Sequence, residues 1–254
     1  MSAGSAIVVD VDGPLMRVVV NRPDRANALD RAALRDLAAV FESLSERPAI
    51  RVVTLRGAGP SFCTGVDLAE PGTDHPDAAA EQAALSARAV AAVTAAPAVT
   101  LARVHGAATG LGLSLAVACD LRLADEDAVF RLPELYVRQP PCWGDALTRL
   151  VAEIGPARAR ELVLLGERVD AATATRYGLV NRTGPTELID RLESRWTRRL
   201  ARAAPAGVLL AKARLRAQEP PGRPDDSLTE AELAAVHADQ RARADHPDAQ
   251  RAPW

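Results

Sequence analysis

Val99-Thr100-Leu101-Ala102-Arg103-Val104-His105-Gly106-Ala107-Ala108-Thr109-Gly110-Leu111-Gly112-Leu113-Ser114-Leu115-Ala116-Val117-Ala118-Cys119-Asp120 passes from a strand pattern to a helix pattern across a glycine-spaced turn. The opening run is apolar and partly β-branched, as in a buried strand. The small apolar residues from about Gly110 onward fit a helix. A glycine-lined strand-to-helix turn lets a neighbour approach the backbone and leaves the first helical N–H groups without intrahelical partners. Those donors, at the positive end of the helix dipole, suit a negative charge. The same glycines also serve close packing of helix on strand, and a lone Gly-x-Gly does not separate the two uses.

The rest of the chain is consistent with one large domain, or one domain with an appendage, of 254 residues. Hydrophobic residues make up 48% but aromatics only 3%, so the core must be built from Ala, Val and Leu. A net charge of −2 gives no bulk field for nucleic acid or a membrane surface, and neither is expected as a partner. Lys212 is the only lysine. Cys63, Cys119 and Cys142 lack metal-ligand spacing and cannot all pair, which fits a reducing compartment. With no secretory or Arg-rich leader, the cytoplasm is the expected location. No apolar run reaches the ~18 residues of a bilayer span. His75, His105, His237 and His246 form no metal constellation in the sequence, so no metal is expected.

Upstream, Ala6–Asp10 and Leu15–Val20 read as a hairpin around Asp12-Gly13. Asp30 is a good N-cap for a helix that carries Leu34, Leu37, Ala38 and Phe41 on one face. A strand over Arg51–Arg56 precedes Ser61-Phe62-Cys63-Thr64-Gly65-Val66-Asp67-Leu68, where Gly65 marks a second backbone turn. A helix over Ala78–Ala95 leads back to the opening strand. Downstream, Leu121–Ala124 and Ala128–Phe130 read as short strands, and Pro140-Pro141-Cys142-Trp143-Gly144 as a rigid kink before a helix over Asp145–Glu153. Helices follow at Gly155–Leu165 and Ala171–Tyr177, the latter capped by Asp170, and Gly178-Leu179-Val180 reads as a strand. Helices over Glu187–Ala203, Ala206–Gln218 and Leu228–Ala242, with a loop at Pro220–Asp226, complete an α/β core with a helical tail.

Five blocks now stand in order: Asn21-Arg22-Pro23 with Asn27-Ala28-Leu29, Phe62–Leu68, Gly106–Asp120, Pro133-Glu134, and Gly178-Leu179-Val180-Asn181. Together they resemble the crotonase, or enoyl-CoA hydratase/isomerase, superfamily over nearly the whole chain. The resemblance implies a spiral of ββα units over residues 1–195 and a C-terminal helical trimerisation region over 196–254. It implies a homotrimer or a dimer of trimers, an acyl-CoA thioester as substrate, and no separate cofactor. By position, the N–H groups of Val66 and Leu111 would form the oxyanion hole that holds the thioester oxygen of an enolate. Leu111 stands where the family usually has Gly; its N–H is retained, but its bulk narrows the pocket. Arg25, Ala26, Asp67, Leu68 and Gly110 match segments that hold CoA or substrate.

Hydratases of the family use two carboxylates. The second is present as Glu134, whereas the first position is Ser114, which cannot act as a carboxylate base. One base suffices to move a proton between carbons, so the resemblance points to isomerase-type proton transfer with Glu134 as the catalytic residue. By itself, Glu134 also reads as an acid favourable at a helix N-terminus. Asp145 and Ser114 are auxiliary candidates, Asp145 equally reading as a helix N-cap, and Tyr136 and Trp143 are expected to shape the acyl pocket. Cys142 as a nucleophile has no His partner nearby in sequence. The alternatives are an enoyl-CoA hydratase, a crotonase-like enzyme of a specialised pathway, and a non-catalytic acyl-CoA-binding paralogue. The ending at Trp254 lacks the basic, aromatic segment that often covers the CoA adenine, which leaves room for a carrier-protein thioester.

Overall fold

The computed structural model describes residues 4–70, 76–137, 143–218 and residue 238. Cys142 with Pro140-Pro141, the loop Pro220–Asp226, His75, His237, His246, and the Leu228–Ala242 helix apart from residue 238 lie outside the described residues.

The chain opens with an antiparallel hairpin, β1 (Ile7–Asp12) and β2 (Leu15–Val20), followed by helix α1 (Arg31–Glu42). Burial alternates along β2, with Met16, Val18 and Val20 turned into the core. Helix α1 buries Ala33, Leu34, Leu37, Ala38 and Phe41, the i, i+3, i+4 stripe expected of an amphipathic helix. The Asp30 side chain accepts the Ala33 N–H at 2.8 Å and caps it, as the sequence suggests. Strand β3 (Val52–Gly57) and helix α2 (Pro76–Ala95) come next, then β4 (Val99–Val104), β5 (Ala107–Thr109) and α3 (Leu111–Ala118). β6 (Leu121–Asp125), β7 (Val129–Arg131) and α4 (Glu134–Val137) repeat the strand-strand-helix unit. The remainder is α5 (Asp145–Ile154), α6 (Pro156–Leu165), β8 (Val169–Asp170), α7 (Ala171–Tyr177), β9 (Arg182–Gly184), α8 (Thr186–Ala201) and α9 (Pro205–Arg216).

Six strands form one sheet in the order β1-β2-β3-β4-β6-β9, parallel from β2 onward, and β5-β7-β8 form a second. All six residues of β4 are buried, as in a parallel strand covered on both faces. Every residue of α3 is buried as well, so this helix is a central element and not a surface one.

Two expectations are corrected. Gly178-Leu179-Val180 is not a strand: Gly178, at φ 87°, caps α7, and Leu179 N–H and Val180 N–H both donate to Ala174 O. The strand begins at Arg182. The turn expected after His105 contains a short strand, β5, which pairs in parallel with β7. Three residues show too little alternation to be read as a strand, and only the distant partner defines it.

Candidate active site

Two turns and a loop converge where α3 begins, stitched together by their own backbones. Leu29 N–H donates to Gly65 O at 2.8 Å and Asp67 N–H to Leu29 O at 2.9 Å. Cys63 N–H donates to Ala107 O, Thr109 N–H to Cys63 O, each at 3.0 Å, and Gly110 N–H to Arg131 O at 2.9 Å. Because the parallel bridge at Val66 uses the Gly65 carbonyl and the Asp67 N–H, the Val66 N–H points away from Leu29. Leu111 opens α3, where no intrahelical acceptor exists for its N–H. Neither N–H has an acceptor among the described residues. A Cβ on Gly65 would stand 3.1 Å from Thr109 O and 3.5 Å from Leu111 N, so the two turns lie against one another. Both border a cleft of about 400 Å³ that is open to solvent and also lined by Thr64, Leu68, Pro133 and Glu134.

Glu134, the first residue of α4, is 7% exposed. Its Oε1 accepts the Trp143 Nε1–H at 2.9 Å, and its buried Oε2 has no hydrogen-bond partner among the described residues. Burial pushes the carboxyl above the ordinary glutamate range, opposed by its own backbone N–H and by the indole N–H. Gly110 makes room for it: at φ 57° and ψ −125° it holds a conformation open almost only to glycine, and a Cβ there would lie 3.2 Å from Oε1. A partly unsatisfied carboxyl beside unpaired N–H donors can accept and return a proton while an adjacent oxygen gains negative charge.

Other candidates fall elsewhere. Ser114 is buried on α3, its Oγ 3.4 Å from Gly110 O, in a small apolar cavity shared with Leu113, Val117, Leu147, Leu150 and Trp143. Trp143 borders that apolar cavity and not the cleft, and its N–H serves Glu134. Tyr136 does not line the cleft: its hydroxyl donates to Leu164 O at 2.7 Å, and its ring packs beside Gly166. Asp145 sits exposed in the first turn of α5, outside the cleft lining, and Gly144 occupies the cap position. The Asp67 carboxylate is taken by Arg22, at 3.0 Å, and by the Ala69 N–H, at 3.1 Å, so it shapes the loop and does not present itself to a ligand. Leu68 is half exposed at the cleft rim, and Arg25 is exposed on a 3₁₀ turn that ends at Ala26, φ 48°.

Two residues with no role assigned from sequence set this loop. Asn27, fully buried at φ 59°, accepts from Arg22 N–H and donates to Ala58 O and Ser61 O. Arg22 joins Asp30 and Asp67, at 2.7 and 3.0 Å. Both lie within the Asn21–Leu29 block, and Asn next to a turn was the available signal. Cys63 and Cys119 are buried free thiols pushed up to about 12 by burial, which makes them inert core residues. His105 bonds Gly59 O at 3.0 Å. Among the described residues no group of three or more His, Cys, Asp or Glu side chains could hold a metal ion, and no helix is long and apolar enough to cross a membrane.

The family model of enoyl-CoA hydratase/isomerase matches residues 12–244. The putative enoyl-CoA hydratase/isomerase YngF of Bacillus subtilis is 38% identical over 193 residues, 75% of this chain and 74% of its own length. The probable enoyl-CoA hydratase EchA14 of Mycobacterium tuberculosis is 34% identical over 240 residues, 92% of this chain and 90% of its own. Among solved structures, an enoyl-CoA hydratase from Bacillus anthracis superposes with a TM-score of 0.80 at 28% identity, covering 95% of this chain and 92% of that one.

Proposed function

Because the chain belongs to the enoyl-CoA hydratase/isomerase family and has its crotonase fold, we propose that it moves a double bond within an enoyl-CoA thioester, using Glu134 as the only acid/base. The family acts on acyl-CoA substrates. In this reading the ionised Glu134 removes a proton from the carbon chain. The N–H groups of Val66 and Leu111 hold the thioester oxygen as it becomes an enolate oxygen, and Glu134 returns the proton to a different carbon. Each such donor contributes about 3 kcal/mol to the transition state, and a positioned base about 10²–10⁴-fold in rate. The observation that carries the proposal is Glu134 itself: among the described residues it is the one carboxylate lining the cleft that the two unpaired N–H groups border.

The names of the relatives favour a second reading, hydration of the same substrate. Ser114 weighs against it. Adding water calls for a group that orients and activates the water while a second delivers the proton. The Ser114 hydroxyl, buried 3.4 Å from Gly110 O, is not such a base. The experiment is product analysis with a panel of 2-enoyl- and 3-enoyl-CoA thioesters. Double-bond migration with little 3-hydroxyacyl product is expected; a predominance of hydroxyacyl product would replace this reading with the second.

The proposal takes CoA at Arg25, Ala26, Leu68 and Gly110, and needs no cofactor beyond the CoA thioester. It takes residues 1–195 as the catalytic core, and residues 196–254 as the part that assembles a trimer or a dimer of trimers. It places the enzyme in the cytoplasm.

A further inference from the structure

We infer that Trp143 is a positioning residue of this site: its indole N–H, 2.9 Å from Glu134 Oε1, ties down one carboxyl oxygen and leaves Oε2 as the single atom that takes up and returns the proton. This rests on the reading of Glu134 as the base. An indole N–H can donate but never accept. Oε1 therefore serves the indole as an acceptor in either protonation state, and it accepts best as the carbonyl-type oxygen, which favours the proton on Oε2, an atom with no partner among the described residues.

Contacts of backbone and ring hold Trp143 in place. Trp143 stands at the entrance to α5, its carbonyl accepting Ala146 N–H at 3.0 Å. Helix α5 is fastened to the end of α3 by Arg149 Nη1, which donates to Ala118 O at 2.6 Å. The indole ring is partly buried against the hydrophobic core and borders a small apolar cavity between Leu113, Ser114 and Val117 of α3 and Leu147 and Leu150 of α5. On the opposite side Gly110 closes on Oε1.

The groups facing Glu134 leave this bond as the adjustable one. Every side chain lining the cleft from the Thr64–Leu68 turn, β5 and α3 is uncharged, as are Pro133 and Val137 beside it. On α4, Tyr136 is turned to Leu164 O, and on α5, Asp145 faces solvent. Among the described residues, the indole is the only side chain that donates to Glu134. A proton confined to one oxygen leaves and returns along one edge of the carboxyl, which suits transfer between two carbons of one bound chain.

Trp143→Phe keeps an aromatic ring and removes the N–H. Exchange of substrate protons should slow about tenfold, with KM changed less than about twofold, since a hydrogen bond to a charged group is lost at the base and not at the binding surface. Without that bond the ionised form is less favoured, so the midpoint of the acidic limb of the pH–rate profile should rise by about one pH unit. A second measurement uses the unaltered protein. The chain has three tryptophans, and the ¹⁵N–H indole resonance missing in Trp143→Phe should shift with pH at the midpoint of the unaltered protein's own acidic limb and lose this shift in Glu134→Gln. An unmoved acidic limb in a folded Trp143→Phe, or an indole resonance indifferent to pH, overturns the inference. Undiminished exchange in Glu134→Gln overturns instead the reading of Glu134 as the base, and the indole titration still reports separately on the pair.

Discussion

Asp120, just past the C-terminal end of α3, and Glu134, against the N-terminal end of the same helix, are carboxylates drawn largely out of water in very different company. Asp120 Oδ2 accepts from Thr100 N–H at 2.8 Å, Thr100 Oγ1–H at 3.0 Å and Lys212 Nζ at 2.6 Å. Lys212 in turn donates to Ala96 O and Ala98 O, so one lysine pins α9 to the start of β4. Glu134 has Trp143 as its one side-chain donor among the described residues and an orphaned oxygen. A carboxylate that fastens elements together is saturated with donors, because an unpaired buried charge is costly. One that must exchange a proton has to be left short of them. Under the proposed function, the contrast separates a structural end of α3 from a chemical one.

The largest effect expected is from Glu134→Gln, which should lower turnover by about 10³-fold, within the usual range for a positioned base. Its stability should show the opposite trend. Burial raises the folded-state pKa of Glu134, so the contribution of its protonated form is complete at low pH and is lost as pH rises through the raised value. The variant should therefore gain melting temperature relative to the parent on going from acid to neutral pH. Lys212→Met should do the reverse of Glu134→Gln: about 3 kcal/mol less stable in urea denaturation, from breaking a buried pair, with turnover at 25 °C within about twofold. If Lys212→Met impaired turnover as strongly as Glu134→Gln, the division between the two ends of α3 would collapse.

Gly110→Ala sits between these. Its backbone conformation alone costs a non-glycine residue about 1–3 kcal/mol, and the new Cβ would crowd Glu134 Oε1. Turnover should drop by about 10- to 100-fold, with KM less affected. Ser114→Ala is expected to do least, under about 1 kcal/mol in stability and within about threefold in turnover, because its hydroxyl makes only a long bond to Gly110 O. A loss of 100-fold there would restore Ser114 as an auxiliary catalytic group.

What could be read from sequence was local or carried by ordered motifs. The Asp30 and Asp170 caps, the α1 stripe, the Gly155-Pro156 helix start and the largely apolar α3 follow from neighbours three or four residues away. The resemblance carried by the ordered blocks implies a shared site for Val66, Leu111 and Glu134, and all three line one cleft. What escaped depends on distant partners. β5 exists only through β7 and Cys63. The pairing of Asp67 with Arg22 is not legible locally, because Arg22 lies far back in the chain. Tyr136 lies only two residues from Glu134 in sequence, yet its hydroxyl bonds the carbonyl of Leu164 and it does not line the cleft. The bond from Trp143 to Glu134 joins the entrance of α5 to α4, and Arg149 ties α5 to the end of α3; no local pattern encodes either.

The most direct test of the central claim reads the proton itself. The protein and its Glu134→Gln variant are incubated in deuterated water with acyl- and enoyl-CoA thioesters, and deuterium incorporated at the α- and γ-carbons is followed by mass spectrometry and NMR. Incorporation by the parent that disappears in the variant, with thioester binding retained, is the predicted result. Equal incorporation by both would contradict the assignment of Glu134 as the base.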